Sequence, residues 1–586
     1  MAIGLLLELE SIFGNKGETF ETLIKNIPSF SMLKLLAYIN AQIHIKETNT
    51  DKHKELISWL SQNFEHNEKI KITSFLSGCG SKQVPIFLAN NQTILIFFTR
   101  ILQNYNSIEC ENLSPKQKLD FFKALLLVNQ EVNDKQNYSI SDDNFKDEGI
   151  IQLFLKNQIS QIEFIKEKLF YIPLVKCYHL FDFVETDEIF SKLLPYFLSN
   201  KGVSNWKEYA RILLGIYIAS FQTAIIKIGS EYTIERNLLH NLCINPENIS
   251  NYDSFQIEDF TPFREKPIFK KNKNEYLVLS FIFLIDKLFK SIFFDFKEVA
   301  ENLFKQDNPS FDAIFLEKFK KIKEKKQIFG ILNTYFTTKF SEELLLVKAM
   351  KHTFSHKSIN HKNSILTPNP TYKIGKDTKE LTDFYVRKDQ KICLFELKDV
   401  IMKAEIKHSY DYDKIKEGIL DKFSNQKDKK GVPQLVNAIN YINNLDFSFE
   451  NSKLSKRIKA KKIIIYPILV FTDLSFSAFG VEEILQNEMN NQLGSYENIK
   501  EIKPLIMLDL NTLIQYENLF SKKNFFEIIE EYYDFKKKRA KDRKKSTKNF
   551  FNSFESFSAF LEYYVKRNNI GMDIPKILKD NKLDLV

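Results

Sequence analysis

The stretch Leu381–Val400 reads LTDFYVRKDQKICLFELKDV, and its pattern decides how the C-terminal half of the chain folds. Two apolar-rich runs flank a polar tetrapeptide, which is typical of a β-hairpin. A turn at Asp389-Gln390 places Val386 opposite Cys393 when residues are counted outward along the two strands. Both strands are then largely apolar on both faces, and such a sheet is usually covered on both faces by other elements.

The same register brings charged side chains together on one face. Asp383 lies opposite Glu396, and the Cβ atoms of directly opposed residues are about 5 Å apart. Lys398 shares this face because it lies two residues beyond Glu396 on the same strand. Two carboxylates in an apolar sheet repel each other and lose hydration, and a bound divalent cation would relieve both costs. The alternative interpretation is a cross-strand ion pair on a solvated face.

These residues resemble a known family. Asp383, followed by Glu396-Leu397-Lys398 at the end of the next strand, is similar to the signature of the PD-(D/E)xK nuclease superfamily, the restriction endonucleases and their relatives. Thr382 stands where the family name has a proline. The ExK string recurs elsewhere in this Glu- and Lys-rich chain, so its value here comes from the hydrophobic strand that it ends and from the aspartate in the preceding strand.

The resemblance implies a restriction-endonuclease-like mixed β-sheet flanked by helices, and a Mg²⁺-dependent hydrolysis of phosphodiester bonds with Mn²⁺ as a substitute. In that case Asp383, Glu396 and the backbone carbonyl of Leu397 hold the metal, since hard cations prefer oxygen ligands. Lys398 then orients the attacking water or stabilises the charge that develops at phosphorus. The implied partner is nucleic acid, DNA more readily than RNA, and restriction or phage defence is a fitting role.

The resemblance also points to a further acidic ligand. In this family a helix just before the sheet often supplies one, and Phe340-Ser341-Glu342-Glu343 is expected to open such a helix. Glu342 is the preferred match and Glu343 the second. Alternatively, both glutamates lie in the first turn and stabilise the helix dipole.

A glutamine after the hairpin is a further candidate site residue. Gln434 and Tyr441 resemble the glutamine and tyrosine that follow the ExK strand in the RecB-like branch of the family, with a longer spacing between them here. Gln434 lies near the N-terminus of a predicted helix, where it would be placed to hold a phosphate or a water. The alternative is an ordinary solvent-facing glutamine.

Composition and charge exclude several classes of protein. The five cysteines are scattered and odd in number, with no CxxC pair, which argues against a disulfide framework or a zinc ribbon. The longest largely apolar run, Tyr276–Ile285, is shorter than the roughly 20 residues that span a bilayer. The first residues lack the basic start of a signal peptide. We therefore expect a cytoplasmic protein with no membrane partner.

The net charge of +9 is concentrated in one place. Lys536–Lys548 contains nine Lys or Arg residues and one Asp, so the remainder of the chain is close to neutral. Such a run predicts a surface that contacts phosphates. A solvated linker helix is the alternative.

The expected fold class is multidomain α + α/β. Residues 1–244 are predicted to form an irregular α-helical recognition or assembly domain, through which the chain would form a homodimer or bind a protein partner. Residues 245–329 are a predicted connector with a short hairpin and helices. Residues 330–520, to which the family resemblance is confined, fit an α-β-β-β-α-β order. Residues 521–586 are a predicted basic helical tail.

Two strands of the α/β segment are placed by sequence pattern. Thr371–Lys376 is the predicted first strand of the sheet. Lys461–Asp473 is a strongly apolar strand, and its interior Pro467 predicts an edge position or a bend.

Two other functions are compatible with the sequence. One is a non-catalytic nucleic-acid-binding or assembly protein with a degenerate nuclease fold. The other is a transposition or repair nuclease subunit of a larger complex. The presence of Asp383, Glu396 and Lys398 together argues against the first of these.

Overall fold

The computed structural model describes residues 5–14, 17–44, 49–81, 84–108, 112–136, 147–162, 164, 170–229, 232–247, 249, 260–305, 327–356, 364–374, 376–425, 431–450, 453–542, 554–571 and 577–578 of the 586-residue chain. Two compact units make up a multidomain α + α/β layout. The first unit comprises Met1–Ser139, Phe164–Cys177 and Val184–Phe315, and the second comprises Ile140–Glu163, Tyr178–Phe183 and Leu316–Val586.

The helices are numbered in chain order. Those before residue 316 are α1 (Leu9–Phe13), α2 (Phe20–Ile24), α3 (Ser29–Ile43), α4 (Thr50–Ser61), α5 (His66–Ser81), α6 (Asn91–Gln103), α7 (Pro115–Gln136), α8 (Asp147–Gln158), α9 (Tyr171–Thr186), α10 (Phe190–Lys201), α11 (Trp206–Ser220), α12 (Thr233–Asn241), α13 (Thr261–Glu265), α14 (Phe281–Asp286) and α15 (Ile292–Lys305). Those after it are α16 (Gln327–Phe336), α17 (Val347–Thr353), α18 (Ala404–Lys407), α19 (Tyr412–Phe423), α20 (Val432–Asn443), α21 (Val481–Gln492), α22 (Leu510–Gln515), α23 (Glu517–Lys522), α24 (Phe525–Lys541) and α25 (Phe557–Arg567). Thr337–Leu346 is π-helical and joins α16 to α17.

The first unit contains two small sheets beside its helices. The strands β1 (Leu5–Leu6) and β2 (Ile86–Phe87) pair in parallel. A second sheet has the order β3-β6-β5-β4. Its strands are β3 (Ile225–Lys227), β4 (Cys243–Ile244), β5 (Ile268–Lys270) and β6 (Glu275–Val278). The hairpin predicted in the connector is the β5–β6 pair, and it lies at the centre of this sheet.

The second unit is built on a six-stranded mixed sheet with the order β13-β12-β11-β10-β7, in which β14 also pairs with β12. Its strands are β7 (Ser364–Pro368), β10 (Phe384–Lys388), β11 (Lys391–Lys398), β12 (Ile463–Phe471), β13 (Ile499–Ile502) and β14 (Ile506–Asp509). The strand β10 is antiparallel to both of its neighbours, whereas β12 is parallel to all of its neighbours. A separate hairpin, β8 (Thr371–Ile374) and β9 (Asp377–Glu380), interrupts the chain between β7 and β10.

The β10–β11 hairpin has the predicted register. Val386 lies opposite Cys393, so continuing the ladder makes Asp383 and Glu396 the next opposed pair beyond the paired residues. Asp389 in the turn has a φ of +54°, a left-handed conformation that aspartate tolerates better than most residues do. Turn chemistry and the alternation of side chains therefore agree on one register.

Two strand details differ from the predictions. The edge strand is β7, whereas residues 371–374 belong to the separate β8–β9 hairpin, whose described side chains are mostly exposed. Pro467 lies in the central strand β12 rather than at an edge. The strand β13 pairs with β12 up to Ile465, and β14 pairs with it from Ile468 onward. The missing N–H of Pro467 falls where one partner strand ends and the other begins, so it costs little there.

Both faces of the sheet are covered, as the apolar pattern of the hairpin predicts. On one face Leu394 belongs to a core that includes side chains of α19, α20 and α21. On the other face Phe395 packs against Phe354 and Phe525, with ring centroids 5.8 and 6.1 Å apart. Phe525 begins α24, so the segment predicted as a basic tail starts with a helix that closes the sheet.

The basic run lies at the other end of this helix. Lys536 donates a hydrogen bond to Glu482 at 2.5 Å. This ion pair leaves one fewer positive charge of the basic run available to contact phosphates. Residues 543–548 of the run lie outside the described residues. None of the described helices is both long and apolar enough to cross a membrane.

We expect Phe525→Ala to lower the free energy of unfolding of the second unit by about 3–5 kcal/mol, because it empties a fully buried aromatic site against the sheet. Urea denaturation measures the change. Tyr563→Ala removes a 40 % exposed ring of α25 and is the control, with an expected change of about 1 kcal/mol or less. Equal effects of the two substitutions would contradict the packing role of Phe525.

Candidate active site

Three predicted site residues meet at the end of the β10–β11 hairpin. Asp383 directly precedes β10, and Glu396 and Lys398 lie at the end of β11. Asp383 is 4 % exposed and Glu396 is 0 % exposed. The N–H of Leu397 donates to Asp383 Oδ2 at 2.5 Å, and Lys398 Nζ donates to Glu396 Oε1. The two carboxylates are therefore held at neighbouring positions by the backbone of the hairpin itself.

One carboxylate oxygen in this group has no partner. Glu396 Oε2 is buried and makes no hydrogen bond. Burial and the charge of Asp383 raise the pKa of Glu396 well above its usual value, and burial raises the pKa of Asp383. A buried acceptor without a donor costs about 1–3 kcal/mol, and more when it carries charge. The site therefore stores an electrostatic cost that a positive ion at Glu396 Oε2 would relieve.

Lys398 does not balance this cost alone. Burial favours its neutral form, but the carboxylates of Glu396 and Asp383 outweigh that effect and raise the pKa of Lys398. Lys398 is thus an ammonium ion with one positive charge beside two buried acids. In that state it can donate hydrogen bonds to a water or a phosphate oxygen, and it cannot accept a proton.

A third carboxylate reaches the site from the helix before the sheet. Burial and the charge of Asp383 raise the pKa of Glu342 to about 8. Glu343 instead accepts a hydrogen bond from Lys339 at 2.7 Å, and both of these side chains are partly exposed. The structure thus places Glu342 beside the predicted ligands and Glu343 in a surface ion pair.

The predicted start of this helix is wrong. Glu342 lies within the π-helical segment, in a helix that begins at Gln327, so the first-turn dipole alternative does not apply. Ser341, which suggested a helix start, donates to Asp399 Oδ2 at 2.5 Å. A π-helical turn shifts side chains relative to an α-helix and is frequent at functional sites, and here it carries the acidic side chain.

Gln434 also joins the site. Its Oε1 lies 3.4 Å from Lys398 Nζ. The helix α20 begins after Gly431, whose φ is +70° and where an added Cβ would come within 2.1 Å of the carbonyl oxygen of Phe423. Only glycine fits this turn, and the turn sets Gln434 on the first turn of α20. Tyr441 does not join it, because its hydroxyl donates to Asp446 at 2.5 Å.

Two acidic residues near the site were missed by the sequence prediction. Loss of hydration and the charge of Asp383 raise the pKa of Glu380, which ends β9. Asp399 follows β11 and accepts hydrogen bonds from Ser341 and from Thr472 at 2.6 Å. Glu380 was hidden because residues 377–380 were not predicted as a strand. Glu380 lies only three residues before Asp383 in the sequence, and this proximity could have identified it as a candidate site residue.

The site residues fit a hard divalent cation. Among the residues that the structure describes, no three side chains of His, Cys, Asp or Glu are close enough to hold a metal ion by themselves. Mg²⁺ does not require such a cage, because it is usually bound by one or two carboxylates and completes its shell with water and substrate phosphates. Asp383 and Glu396 supply that pair, and Glu396 Oε2, which has no hydrogen-bond partner, is available as a metal ligand.

Comparisons with known proteins give no assignment. No family model matches the chain, and neither a curated protein nor a solved structure is significantly similar to it. Any function must therefore be argued from the geometry and chemistry of this site.

We expect the metal-free protein to lose stability as pH rises from about 5 to 8.5. The folded chain holds the proton of Glu342 up to a pKa of about 8, whereas the usual pKa of a glutamate is 4.5. The folded state therefore binds more protons than the unfolded state in this range, and stability falls with rising pH. Thermal melts in EDTA measure the slope. Glu342→Gln should flatten it.

Glu343→Gln is the matched control for this measurement. Glu343 is the adjacent residue and pairs with Lys339 near the surface, where an ion pair contributes little. It should leave the pH slope of the melting temperature unchanged. Equal slopes for Glu342→Gln and the unmodified chain would show that Glu342 is not held in an acidic cluster.

Proposed function

We propose that this chain is a metal-dependent nuclease that hydrolyses phosphodiester bonds, most readily in DNA. The observation that carries the proposal is the buried, unpartnered oxygen of Glu396, beside Asp383 and Lys398 at the end of one hairpin. Restriction or phage defence is a role compatible with such an activity.

The chain topology supports a restriction-endonuclease-like fold for the second unit. A helix, α16 to α17, precedes β7, β10 and β11, and α20 then leads into β12. This is the α-β-β-β-α-β order expected from the sequence, with the β8–β9 hairpin as an insertion. The three signature residues are Asp383, Glu396 and Lys398. They lie where the central strand β11 ends.

The ion-pair alternative is disfavoured by burial. That interpretation requires a solvated face, whereas Asp383 and Glu396 are 4 % and 0 % exposed. A buried ion pair contributes to stability only when its remaining hydrogen bonds are complete, and here Glu396 Oε2 has no partner.

The protein groups divide the chemical work. A Mg²⁺ ion held by Asp383, Glu396 and the carbonyl of Leu397 would supply Lewis-acid activation and charge neutralisation. Lys398, held between Glu396 and Gln434, donates a hydrogen bond to the attacking water or to a phosphoryl oxygen as negative charge develops there. Gln434 fixes the Lys398 ammonium with its carbonyl oxygen, and its amide N–H groups remain donors for a phosphate oxygen.

The test is incubation of the purified chain with plasmid, linear DNA and RNA in Mg²⁺, Mn²⁺ or EDTA, beside Glu396→Ala. Metal-dependent cutting that is lost in the variant supports the proposal and identifies the substrate. Equal cutting by both proteins would point to a contaminating nuclease. No cutting, together with no Mg²⁺ binding by titration calorimetry, would overturn the proposal.

We expect Lys398→Ala to reduce kcat on the order of 10²–10³-fold, the usual effect of losing one preorganised donor at a site of developing charge. Mg²⁺ binding measured by calorimetry and the melting temperature in Mg²⁺ should be retained, because both carboxylates remain. Lys388→Ala, at the far end of β10, is the control and should leave kcat unchanged. Full activity in Lys398→Ala would contradict the assigned role.

A further inference from the structure

The β8–β9 hairpin projects beyond the sheet beside the candidate active site. The N–H of Asn369 donates to the carbonyl of Asp383 at 2.9 Å, and the N–H of Leu381 donates to the carbonyl of Pro370 at 2.7 Å. These two bonds connect the β7–β10 ladder to the β8–β9 ladder, which begins with the pair Thr371 and Glu380. The hairpin is therefore an extension of the strand pair that carries Asp383.

This extension carries three lysines and two acidic residues, Asp377 and Glu380, so its net charge is 3 − 2 = +1. Lys373, Lys376 and Lys379 are exposed, and none of them forms a salt bridge with any described residue. Lys373 lies opposite Thr378 and Lys379 lies opposite Tyr372, so the two lysines point to different faces of the hairpin.

An aromatic contact anchors the hairpin on one face. Tyr372 packs against Tyr441 of α20, with ring centroids 3.9 Å apart. This contact gives Tyr441 a structural role and joins the hairpin to the helix that carries Gln434. The hairpin thus has a defined position relative to the catalytic residues, while its lysines stay accessible.

We propose that the β8–β9 hairpin binds the nucleic acid backbone on one side of the cleaved bond, through Lys373, Lys376 and Lys379. The inference rests on the proposed nuclease function and names the part of the chain that positions its substrate. The complementary charge of a phosphate backbone and the continuity of the hairpin with the site select this occupant.

The reach of the hairpin sets the distance of these contacts. Counted along the strand, Lys379 is four positions and Lys376 seven positions before Asp383. Lys373 pairs with Thr378 and is therefore level with a position five residues before Asp383. At about 3.3 Å per residue of extended strand, their Cα atoms lie about 13–23 Å from that of Asp383. This distance corresponds to roughly four to seven nucleotide steps of 3.4 Å. The contacted phosphates should therefore lie in that interval on one side of the cut.

The test compares two triple variants of the full chain on a linear DNA duplex with Mg²⁺. The first replaces Lys373, Lys376 and Lys379 with Ala. The second replaces Lys459, Lys461 and Lys462, which are exposed and precede β12 at the opposite end of the sheet. Both variants lose the same charge from the same unit. Thermal melts check folding, and the corresponding Lys→Gln set replaces any Ala set that fails to fold.

The expected result is a rise in KM on the order of 10- to 100-fold at 0.1 M salt for the hairpin variant, with kcat within about twofold. The slope of log K for binding against log[salt] should become shallower by about 0.9 for each lost phosphate contact on duplex DNA. The control variant should match the unmodified chain. Methylphosphonate substitution four to seven nucleotides from the cut should reproduce the loss, on one side only.

The outcomes separate the two proposals. Normal cutting with KM equal in both triple variants would overturn the hairpin proposal and leave the nuclease intact. Binding of DNA that depends on the hairpin lysines, with neither cutting nor Mg²⁺ binding, would support the hairpin and overturn the nuclease. An unmodified chain that neither binds nor cuts DNA would overturn both.

Discussion

The burial of two carboxylates at the end of one hairpin is the constraint on which the second unit depends. Asp383 and Glu396 are nearly or fully inaccessible, and Lys398 supplies a single compensating charge. An apolar pair at these positions would be the cheaper solution for stability alone. The elements around the site nevertheless add polar groups to it. The π-helical turn carries Glu342, and the glycine turn before α20 places Gln434 beside Lys398.

A consistent division of labour follows from that constraint. The apolar faces of the sheet are closed by α19 to α21 on one side and by α17 and α24 on the other, and these contacts provide the stability. The strand ends carry the polar cluster, where the ladder of backbone hydrogen bonds stops and side chains can converge. Asp399, bonded to Ser341 and Thr472, ties the π-helical segment to the ends of β11 and β12. The acidic cluster is therefore held by rigid elements, as a preorganised site requires.

How far the sequence predicts this arrangement depends on the range of each signal. The hairpin register follows from two local facts, an aspartate that tolerates the turn and an alternation that a slip of one residue would destroy. The helix containing Glu342 was misplaced because Ser341 followed by two glutamates matches a helix start, and only the distant Asp399 shows why the serine is there. Glu380 was missed because its hairpin has almost no apolar residues, so periodicity does not identify it.

The β8–β9 insertion connects the electrostatics of the site with its access. A cluster of negative charge repels a polyanion, so a nuclease must place positive charge near the site without neutralising its ligands. Lysines within the cluster would pair with the carboxylates, as Lys398 does. Lys373, Lys376 and Lys379 on the β8–β9 hairpin are exposed instead, and under the proposed function they would contact phosphates within a few nucleotides of the bond to be cleaved. The exposed, mostly polar composition of the hairpin, which gives no periodic apolar pattern in the sequence, is also the composition that a phosphate-binding segment would need.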